Sequence, residues 1–390
     1  MRPVSVVGIG QAPVRKQHDE SLRQLGARVV RLAMEDAGVE QVDGLYVANM
    51  LSDELQGQKH LAALVADEAG LRGIEAVQLR AATASGAAAL RMGFLAVASG
   101  AANVVVVAGV EKMSAPGVTQ VLAKALDAER EVADGATLVS QNARLMARYL
   151  DEYRLPDDVL APFAVNAHRN ACHNPLAMFH KPGLTPEDVM ASRLISAPIR
   201  LYDCAPISEG AAAVVLAPAS DAGASKAGAH NRQAVRLLAS AVAIDRFRVA
   251  DRERPLELTA ARISAQRAFA QAGTSPDEIS FFEAHDAFTI MTCLLLEAAG
   301  FATAGAGWRM AANGDIGLDG RLPLSTMGGL KARGHPIGAT ALYQVCEIVL
   351  QLTGRAGANQ ISGVRRALMQ SVGGAGVTVI THLFGRDDAV

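Results

Sequence analysis

The sequence predicts an α/β protein of two similar halves, with a mostly parallel sheet covered by helices on both faces. Apolar β-branched runs alternate with amphipathic helical stretches, which is typical of βαβ units. A similar pattern begins again after a stretch rich in Ala, Gly and Ser at residues 217–229. Half of the 390 residues are apolar and 19% are charged, so the chain can bury a large core.

The first half contains the clearest alternation of strands and helices. The apolar β-branched pattern predicts strands at residues 4–9, 44–48, 76–79 and 103–108. The helical pattern predicts helices at residues 21–37, 61–69 and 84–99. Gly38 directly follows the first of these helices, where a glycine commonly ends a helix.

A long segment from about residue 111 to residue 196 interrupts this order. Its sequence is helical and charged, and we interpret it as an insertion over the sheet, where binding surfaces tend to lie. Residues 198–216 return to strand-like sequence, and the stretch at 217–229 is typical of a linker. The predicted division is therefore a first half at 1–216, this linker, and a second half at 230–390.

Two pairs of segments indicate an internal duplication. Residues 34–48 and 269–285 each contain a helix end, a Gly, an acidic turn and a strand. The segment from Thr83 reads TASGAAAL and the segment from His335 reads HPIGATAL, and each opens a helix of small residues. The matching segments would place Thr83 and His335 at comparable positions in the two halves. Each position is the N-terminus of a helix, which stabilises negative charge. Chance similarity between two Ala- and Gly-rich helices is the alternative.

Charge and apolar patterning exclude several classes of protein. With 37 basic and 39 acidic residues, the formal net charge of −2 gives no basic face for nucleic acid. Apolar runs are far shorter than the roughly 20 residues of a membrane-spanning helix, and the N-terminus is typical of a strand rather than a signal peptide. The four cysteines are too widely spaced for a zinc knuckle or a CxxC pair. We therefore expect a soluble, cytoplasmic enzyme without a metal site.

Three segments contain groups that could polarise a carbonyl. They are a glycine-rich approach to a helix at 328–340, a strand end at 283–289 and a glycine-rich turn at 371–376. The first contains His335 and the second contains His285. In the turn, Gly373, Gly374 and Gly376 let backbone N–H groups approach a ligand oxygen closely. Two imidazoles and a loop of amides are the components of an oxyanion hole.

On these segments the chain resembles the thiolase superfamily. GGLKARGHPIGAT, which contains His335, resembles its GHPxGAT/S signature. His285-Asp-Ala-Phe resembles the His-Asp-Cys-Phe variant of the sterol-carrier-type thiolases, and Ala82-Thr83-Ala-Ser-Gly resembles the nucleophile segment Ala-Cys-Ala-Ser-Gly. The likeness covers essentially the whole chain. It implies a thiolase fold of two pseudo-symmetric βαβαβαββ halves in five layers (αβαβα) with an inserted loop domain, acyl-CoA substrates and a homodimer.

The sequence departs from this family at the residues that carry covalent chemistry. Thiolases use one cysteine as nucleophile and a second as acid and base. Thr83 occupies the first position, Ser371 the usual place of the second, and Ala287 its alternative place. An isolated hydroxyl is negligibly ionised at neutral pH, so Thr83 would need a strong adjacent base to react. We expect its hydroxyl to cap backbone N–H groups at the start of its helix instead.

The remaining groups fit retro-aldol cleavage of a β-hydroxyacyl-CoA best. That reaction needs a base for the β-hydroxyl proton and donors for the thioester enolate, but no covalent nucleophile. His285, His335 and the glycine-rich turn could supply both. The chain is similar in this respect to the aldolases of the superfamily, which act with a separate OB-fold, zinc-ribbon subunit, and an analogous partner is implied. Two alternatives stay open: thiolase-type acyl transfer, and a non-catalytic subunit that binds acyl-CoA or lipid.

A few further residues complete the predicted site. We expect Gly338, Phe288 and Ser371 to contact the substrate. Tyr343, in the helix after His335, could transfer a proton or could simply pack. Coenzyme A is expected only as the thioester substrate, with no covalently bound cofactor. The acyl chain and the direction of the reaction do not follow from the sequence.

Overall fold

The computed structural model describes residues 1–219 and 234–386. Its strands are β1 (Val4–Gln11), β2 (Gly44–Ala48), β3 (Glu75–Leu79), β4 (Val105–Glu111), β5 (Leu194–Ser196), β6 (Ile199–Arg200), β7 (Gly210–Pro218), β8 (Val235–Ile244), β9 (Phe281–Glu283), β10 (Arg366–Gly373) and β11 (Thr378–Arg386). Its helices are α1 (Leu22–Ala37), α2 (Ser52–Leu55), α3 (Leu61–Ala69), α4 (Ser85–Ser99), α5 (Val118–Ala123), α6 (Leu138–Glu152), α7 (Ala161–Ala171), α8 (Pro186–Ala191), α9 (Thr259–Ala272), α10 (Thr289–Ala298), α11 (Gly307–Ala312) and α12 (Thr340–Leu352). Ala217 and Pro218 belong to β7, and residues 220–229 of the predicted linker lie outside the described residues.

The sheet shows the duplication in the order of its strands. Nine strands of the described chain follow the order β3-β2-β4-β7-β1-β8-β11-β10-β9. The halves meet where β1 pairs antiparallel with β8, with Ser5 opposite Arg236 and Val6 opposite Val235. On either side the first strand of each half pairs with its last, β1 with β7 and β8 with β11. The second half therefore repeats the arrangement of the first in mirrored order along the sheet.

The sheet is mixed, so the prediction of a mostly parallel sheet is wrong. β2 is parallel to β3 and β4, and β9 is parallel to β10. The last strand of each half is antiparallel to its neighbours, because β7 returns after the insertion and β11 follows β10 through a tight turn. An apolar run carries no information about the direction of its strand, so the sequence pattern does not show that these two strands are antiparallel to their neighbours.

The three largest buried apolar clusters of the described residues lie between five layers of structure, and the central cluster fills both sides of the middle layer. α1 and α3 cover one face of the first-half sheet, where Leu25 and Leu61 are fully buried. α4 and α12 lie together between the two halves, with Leu90 and Leu342 in the shared core. α9 and α10 cover the far face of the second half. The order helix, sheet, helix, sheet, helix confirms the fold that the resemblance implied.

Local sequence explains how the helices are fixed. Ser21 forms a capping box with Gln24 at the start of α1, and Gly38 ends that helix at a φ of 66°. In α4, Gly86 lets the helix approach α12, because a Cβ there would lie 2.9 Å from the carbonyl oxygen of Gly338. The small residues of the two central helices thus set how closely they pack.

The insertion lies between β4 and β7 and is longer than predicted. It contains α5 to α8 and the β5–β6 hairpin, and the main-sheet strand begins only at Gly210. The predicted strand at 198–216 is interrupted by a short helical turn at Leu201–Asp203 and by Pro206, which has no N–H for a ladder. α6 and α7 both contact α10 of the second half. None of the described helices combines the length and apolar character needed to cross a membrane.

Candidate active site

The segments in front of the two central helices line one cavity. Thr83 precedes α4 and His335 precedes α12, and both line a cavity of about 320 Å³. His285, Phe288 and Gly374 line it as well. The insertion supplies much of the apolar wall, including Leu122, Leu138, Val139, Ile195 and Leu201. The structure thus brings together residues from all three segments in which the sequence places carbonyl-polarising groups.

The Thr83 hydroxyl is held by the backbone of the second half. Its Oγ1 donates to the carbonyl of Val372 at 2.5 Å and accepts from the N–H of Gly374 at 3.2 Å. Among the described residues, neither imidazole forms a hydrogen bond with it. The prediction that Thr83 caps its own helix is wrong. The chain enters α4 through Ala82 at a φ of 49°, and the Thr83 side chain reaches the glycine turn rather than the N–H groups of α4.

His335 is held at both its backbone and its ring. Its backbone N–H donates to Ser208 Oγ at 2.8 Å, and its ring Nδ1 lies 2.7 Å from Thr340 Oγ1. Burial, the neighbouring His285 and the positive charge of Arg333 hold the pKa of His335 well below its usual value. The ring is therefore neutral at pH 7, with one N–H and one free lone pair, and a lone pair can accept a proton.

His285 packs edge-on against His335. The ring centroids lie 5.2 Å apart and the ring planes cross at 85°. Burial lowers the pKa of His285 to about 4; the Asp286 carboxylate opposes this shift and Lys331 adds to it. Its Nδ1 is closed off from solvent and has no hydrogen-bond partner among residues 1–219 and 234–386. Buried N–H groups without a partner are rarer than unpaired acceptors, which favours a proton on Nε2 and an N–H donor facing the cavity.

A buried ion pair joins the two histidine segments. Asp286, next to His285, accepts a hydrogen bond from the N–H of Leu330 at 2.7 Å. Its Oδ2 also lies 2.9 Å from Lys331 Nζ, and both side chains are almost fully buried. Removing one partner of such a pair would leave an uncompensated buried charge. The pair therefore stabilises the positions of His285 and of the turn that leads to His335.

The glycine-rich turn is rigidly placed, but only part of it faces the cavity. Gly374 lines the cavity at a φ of 65°, and its N–H is already paired with Thr83. The buried Arg252 donates to a carbonyl of the turn at 2.8 Å, beside Gly376. Gly373 ends β10. Of the three predicted glycines, Gly374 alone is part of the cavity wall.

Three other predicted residues lie away from the cavity wall. The Tyr343 hydroxyl donates to the carbonyl of Ala12 at 2.7 Å and accepts from the N–H of Ala211 at 3.0 Å. These bonds join α12 to the first half through the Tyr343 hydroxyl. Gly338 lies where the two halves meet, with its N–H donated to a buried carboxylate. Ser371 is buried within β10, and its Oγ has no hydrogen-bond partner in the described parts of the chain.

The buried carboxylate of Glu111 joins the two halves behind the site. It accepts hydrogen bonds from Asn49 Nδ2 and from the backbone N–H groups of Met50, Leu51 and Gly338. Burial raises its pKa to about 7, although these hydrogen bonds act in the opposite direction. The N-terminal turn of α12 is thus anchored on the end of β4.

Several residues of the site were not predicted from the sequence. Cys204 lines the cavity, but desolvation raises the pKa of its thiol to about 12, so it is no substitute nucleophile. Ser208 and Thr340 contact His335, and nothing in their spacing along the chain shows these contacts. Within the described parts of the chain, no cluster of His, Cys, Asp or Glu is arranged to hold a metal ion.

Comparison with known families covers both halves. The N-terminal thiolase domain matches residues 4–189, and the thiolase C-terminal domain-like family matches residues 241–386. The chain belongs to the thiolase superfamily. This agrees with the five-layer fold and with the motifs around His285 and His335.

Relatives of this thiolase-superfamily chain carry different names. An acetyl-CoA acetyltransferase of Methanothermobacter thermautotrophicus is 40% identical over 99% of this chain and 100% of its own length. Sterol carrier protein 2 of Gallus gallus is 28% identical over 97% of this chain and 71% of its own length. A solved structure described as an Ltp2-ChsH2(DUF35) aldolase shares the fold with a TM-score of 0.86, at 24% identity, over 99% of this chain and 98% of that one.

Proposed function

We propose that this chain is an acyl-CoA C–C lyase that cleaves a β-hydroxyacyl-CoA by a retro-aldol reaction. The observation that carries the proposal is the contrast at the cavity. Two neutral imidazoles face it, whereas the one hydroxyl at the nucleophile position is bonded to backbone groups. A site with a base and a donor, but no activated nucleophile, suits a reaction without a covalent intermediate.

The reaction requires one base and one donor. A neutral imidazole takes the proton of the β-hydroxyl, and the Cα–Cβ bond breaks as the hydroxyl carbon becomes an aldehyde or ketone. The electron pair of that bond enters the thioester as an enolate, whose oxygen is stabilised by an N–H donor. The imidazolium then returns its proton to Cα. The products are a shorter acyl-CoA and the carbonyl compound, and no oxidant or reductant is consumed.

The environment of the histidines supports these roles. The pKa of His285 is about 4 and that of His335 lies well below its usual value, so both rings are uncharged before the reaction. Their centroids are 5.2 Å apart, which allows one substrate to contact both. The wall of the cavity is predominantly apolar, and donors are more effective at a charge that develops in such surroundings.

Thiolase-type acyl transfer is the second candidate, and the names of the relatives favour it. The 40% identical relative is named an acetyl-CoA acetyltransferase. For this chain the reaction would require Thr83 Oγ1 to leave Val372, lose its proton and attack a thioester. No base contacts the hydroxyl among the described residues, and for that reason we rank this candidate second.

A two-substrate assay separates these functions. The chain is given a β-hydroxyacyl-CoA, and separately a β-ketoacyl-CoA with free CoA, and products are followed by mass spectrometry. Release of an aldehyde or ketone from the hydroxy compound supports the lyase. Two thioester products from the keto compound alone would replace it with acyl transfer, and binding without turnover would favour a non-catalytic subunit. The variant His335→Ala serves as the matched control for background breakdown.

We also propose a protein partner at the mouth of the cavity. Ile195, Leu201 and Ile207 line the cavity and are still 38%, 46% and 39% exposed, a cluster of apolar side chains that a partner could cover. The description of the similar aldolase names a DUF35 component. The assay is therefore run with and without a co-expressed OB-fold, zinc-ribbon protein. A rate that does not depend on that protein would contradict the proposal.

A homodimer is proposed from the open edge of the sheet. β3 is the last strand on its side, and Val77 within it is 41% exposed. An unpaired edge strand is readily extended by a second chain. Light scattering should give twice the chain mass of 40.6 kDa, and a compact particle of the single-chain mass would contradict the dimer.

A further inference from the structure

Thr340, the first residue of α12, contacts the ring of His335 on the side away from its Nε2. Thr340 Oγ1 lies 2.7 Å from His335 Nδ1 and 3.0 Å from the carbonyl oxygen of Pro336. The side chain is fully buried, so water does not complete or replace these contacts. Both distances are those of hydrogen bonds.

The number of available protons decides the direction of both bonds. The Thr340 hydroxyl has one proton, and the Pro336 carbonyl can only accept. If the hydroxyl donated to Nδ1, its oxygen would face the carbonyl oxygen at 3.0 Å with no proton between them. If Nδ1 carries the ring proton, it donates to Oγ1, and Oγ1 donates to Pro336. Only this second arrangement makes both contacts favourable.

We propose that Thr340 is a positioning residue that holds His335 as the Nδ1–H tautomer, with the lone pair of Nε2 directed to the cavity. His335 is then the base of the pair. His285, with its Nδ1 buried and unpaired, is the donor through Nε2–H. The two imidazoles have different functions because their Nδ1 atoms have different surroundings.

This assignment rests on the proposed retro-aldol function and specifies it further. His335 Nε2 would take the β-hydroxyl proton, and the His285 Nε2–H would stabilise the enolate oxygen. Without the Thr340 hydroxyl, a buried Nδ1–H would have no partner, which is unfavourable. The ring proton would then move to Nε2, leaving an unpaired acceptor inside and no base toward the cavity.

The test measures the tautomer directly. Protein with ¹⁵N-labelled histidine is compared for wild type, Thr340→Val and Thr340→Ser, and His335→Gln assigns the resonances. We expect wild type and Thr340→Ser to show protonated Nδ1, and Thr340→Val to show protonated Nε2. With the hydroxyacyl substrate, kcat of Thr340→Val should fall roughly 10- to 100-fold with KM unchanged, a loss within the range of general-base catalysis. Thr340→Ser should restore the rate because it keeps the hydroxyl.

Thr353→Val, at the residue that directly follows the same helix, is the matched control. The Thr353 hydroxyl donates to the carbonyl of Val349 at 2.6 Å, which is the same four-residue spacing without an imidazole. It should change neither the spectrum nor the rate. A wild-type ring protonated at Nε2, or a Thr340→Val protein with unchanged tautomer, would overturn the proposal. The spectrum reports the tautomer whether or not the wild type cleaves the substrate. Failure of this proposal is therefore distinguished from failure of the proposed function, which the product assay measures.

Discussion

The starts of the two central helices occupy equivalent places in the duplicated fold but differ in chemistry. In front of α4, the Thr83 hydroxyl is bonded to Val372 and Gly374. In front of α12, the His335 ring is bonded through Nδ1 to Thr340, and the ring lines the cavity. The duplication thus supplies two similar helix starts beside the cavity. In the proposed reaction the second half carries the reactive groups, whereas the first half supplies a wall residue whose hydroxyl is bonded to the glycine turn.

Removing either imidazole should have the largest effect on activity. His335→Ala and His285→Ala should each lower kcat/KM by about 10²- to 10³-fold, as expected when a base or an oxyanion donor is lost. Initial rates with the hydroxyacyl substrate measure this, and circular dichroism verifies the fold of each variant. A rate within tenfold of wild type for His335→Ala would show that the two helix starts do not differ in the way proposed.

Tightening the contact between the two central helices should destabilise the fold. In Gly86→Ala the new Cβ would lie 2.9 Å from the backbone oxygen of Gly338, so the helices must move apart. Overpacking of this kind costs about 1–3 kcal/mol of unfolding free energy. Urea denaturation measures the loss. Gly44→Ala is the control, because the nearest atom to its new Cβ would lie 3.6 Å away, and equal stability losses in both variants would contradict the explanation.

Thr83→Ala should have a small effect on the lyase rate. Loss of a wall residue is expected to leave kcat/KM within about tenfold, or about 1.4 kcal/mol. Intact-mass spectrometry of wild type quenched during turnover should show no acyl adduct on the peptide that contains Thr83. Thr83→Val, which keeps the shape of the side chain, should behave in the same way. An adduct, or complete loss of turnover, would make acyl transfer the leading function.

The smallest expected effect is that of mild acid on the rate. The pKa of His335 lies well below its usual value, so the base stays unprotonated as the pH falls through 6.5. Between pH 8 and pH 6, kcat/KM should change by less than about twofold, whereas a base with an ordinary histidine pKa would lose about half its active form at pH 6.5. Glu111, with a pKa of about 7, also titrates in this range. The Glu111→Gln variant therefore shows whether a change in kcat/KM comes from Glu111 rather than from His335.

Local patterns predicted the elements of the fold but not all of their directions. Helix α3 begins and ends as predicted, and Gly38 ends α1 as its position indicated. The direction of β7 and β11 depends on how the chain returns to the sheet, and that is a tertiary property. The end of the insertion was missed because Pro206 and a short helical turn interrupt an otherwise strand-like run.

The functional site, like the fold, depends partly on local sequence and partly on tertiary contacts. The residues His285, His335 and Gly374, which the sequence motifs single out, line one cavity in the structure. The partner of the Thr83 hydroxyl lies across the molecule, so helix-start rules predicted a cap that the structure does not contain. Likewise, the tautomer of His335 depends on a hydroxyl five residues away, and its contact follows from the folded turn rather than from spacing.

The bond between Thr83 and Val372 joins positions 289 residues apart, and this has a consequence for synthesis of the chain. A ribosome releases Thr83 long before it translates β10, so the growing polypeptide contains the start of α4 without the strand that accepts its hydrogen bond. His335 also emerges before the turn that completes the cavity. A nascent or prematurely terminated chain that stops before β10 therefore lacks the wall residues Val372 and Gly374 and the acceptor that holds the Thr83 hydroxyl.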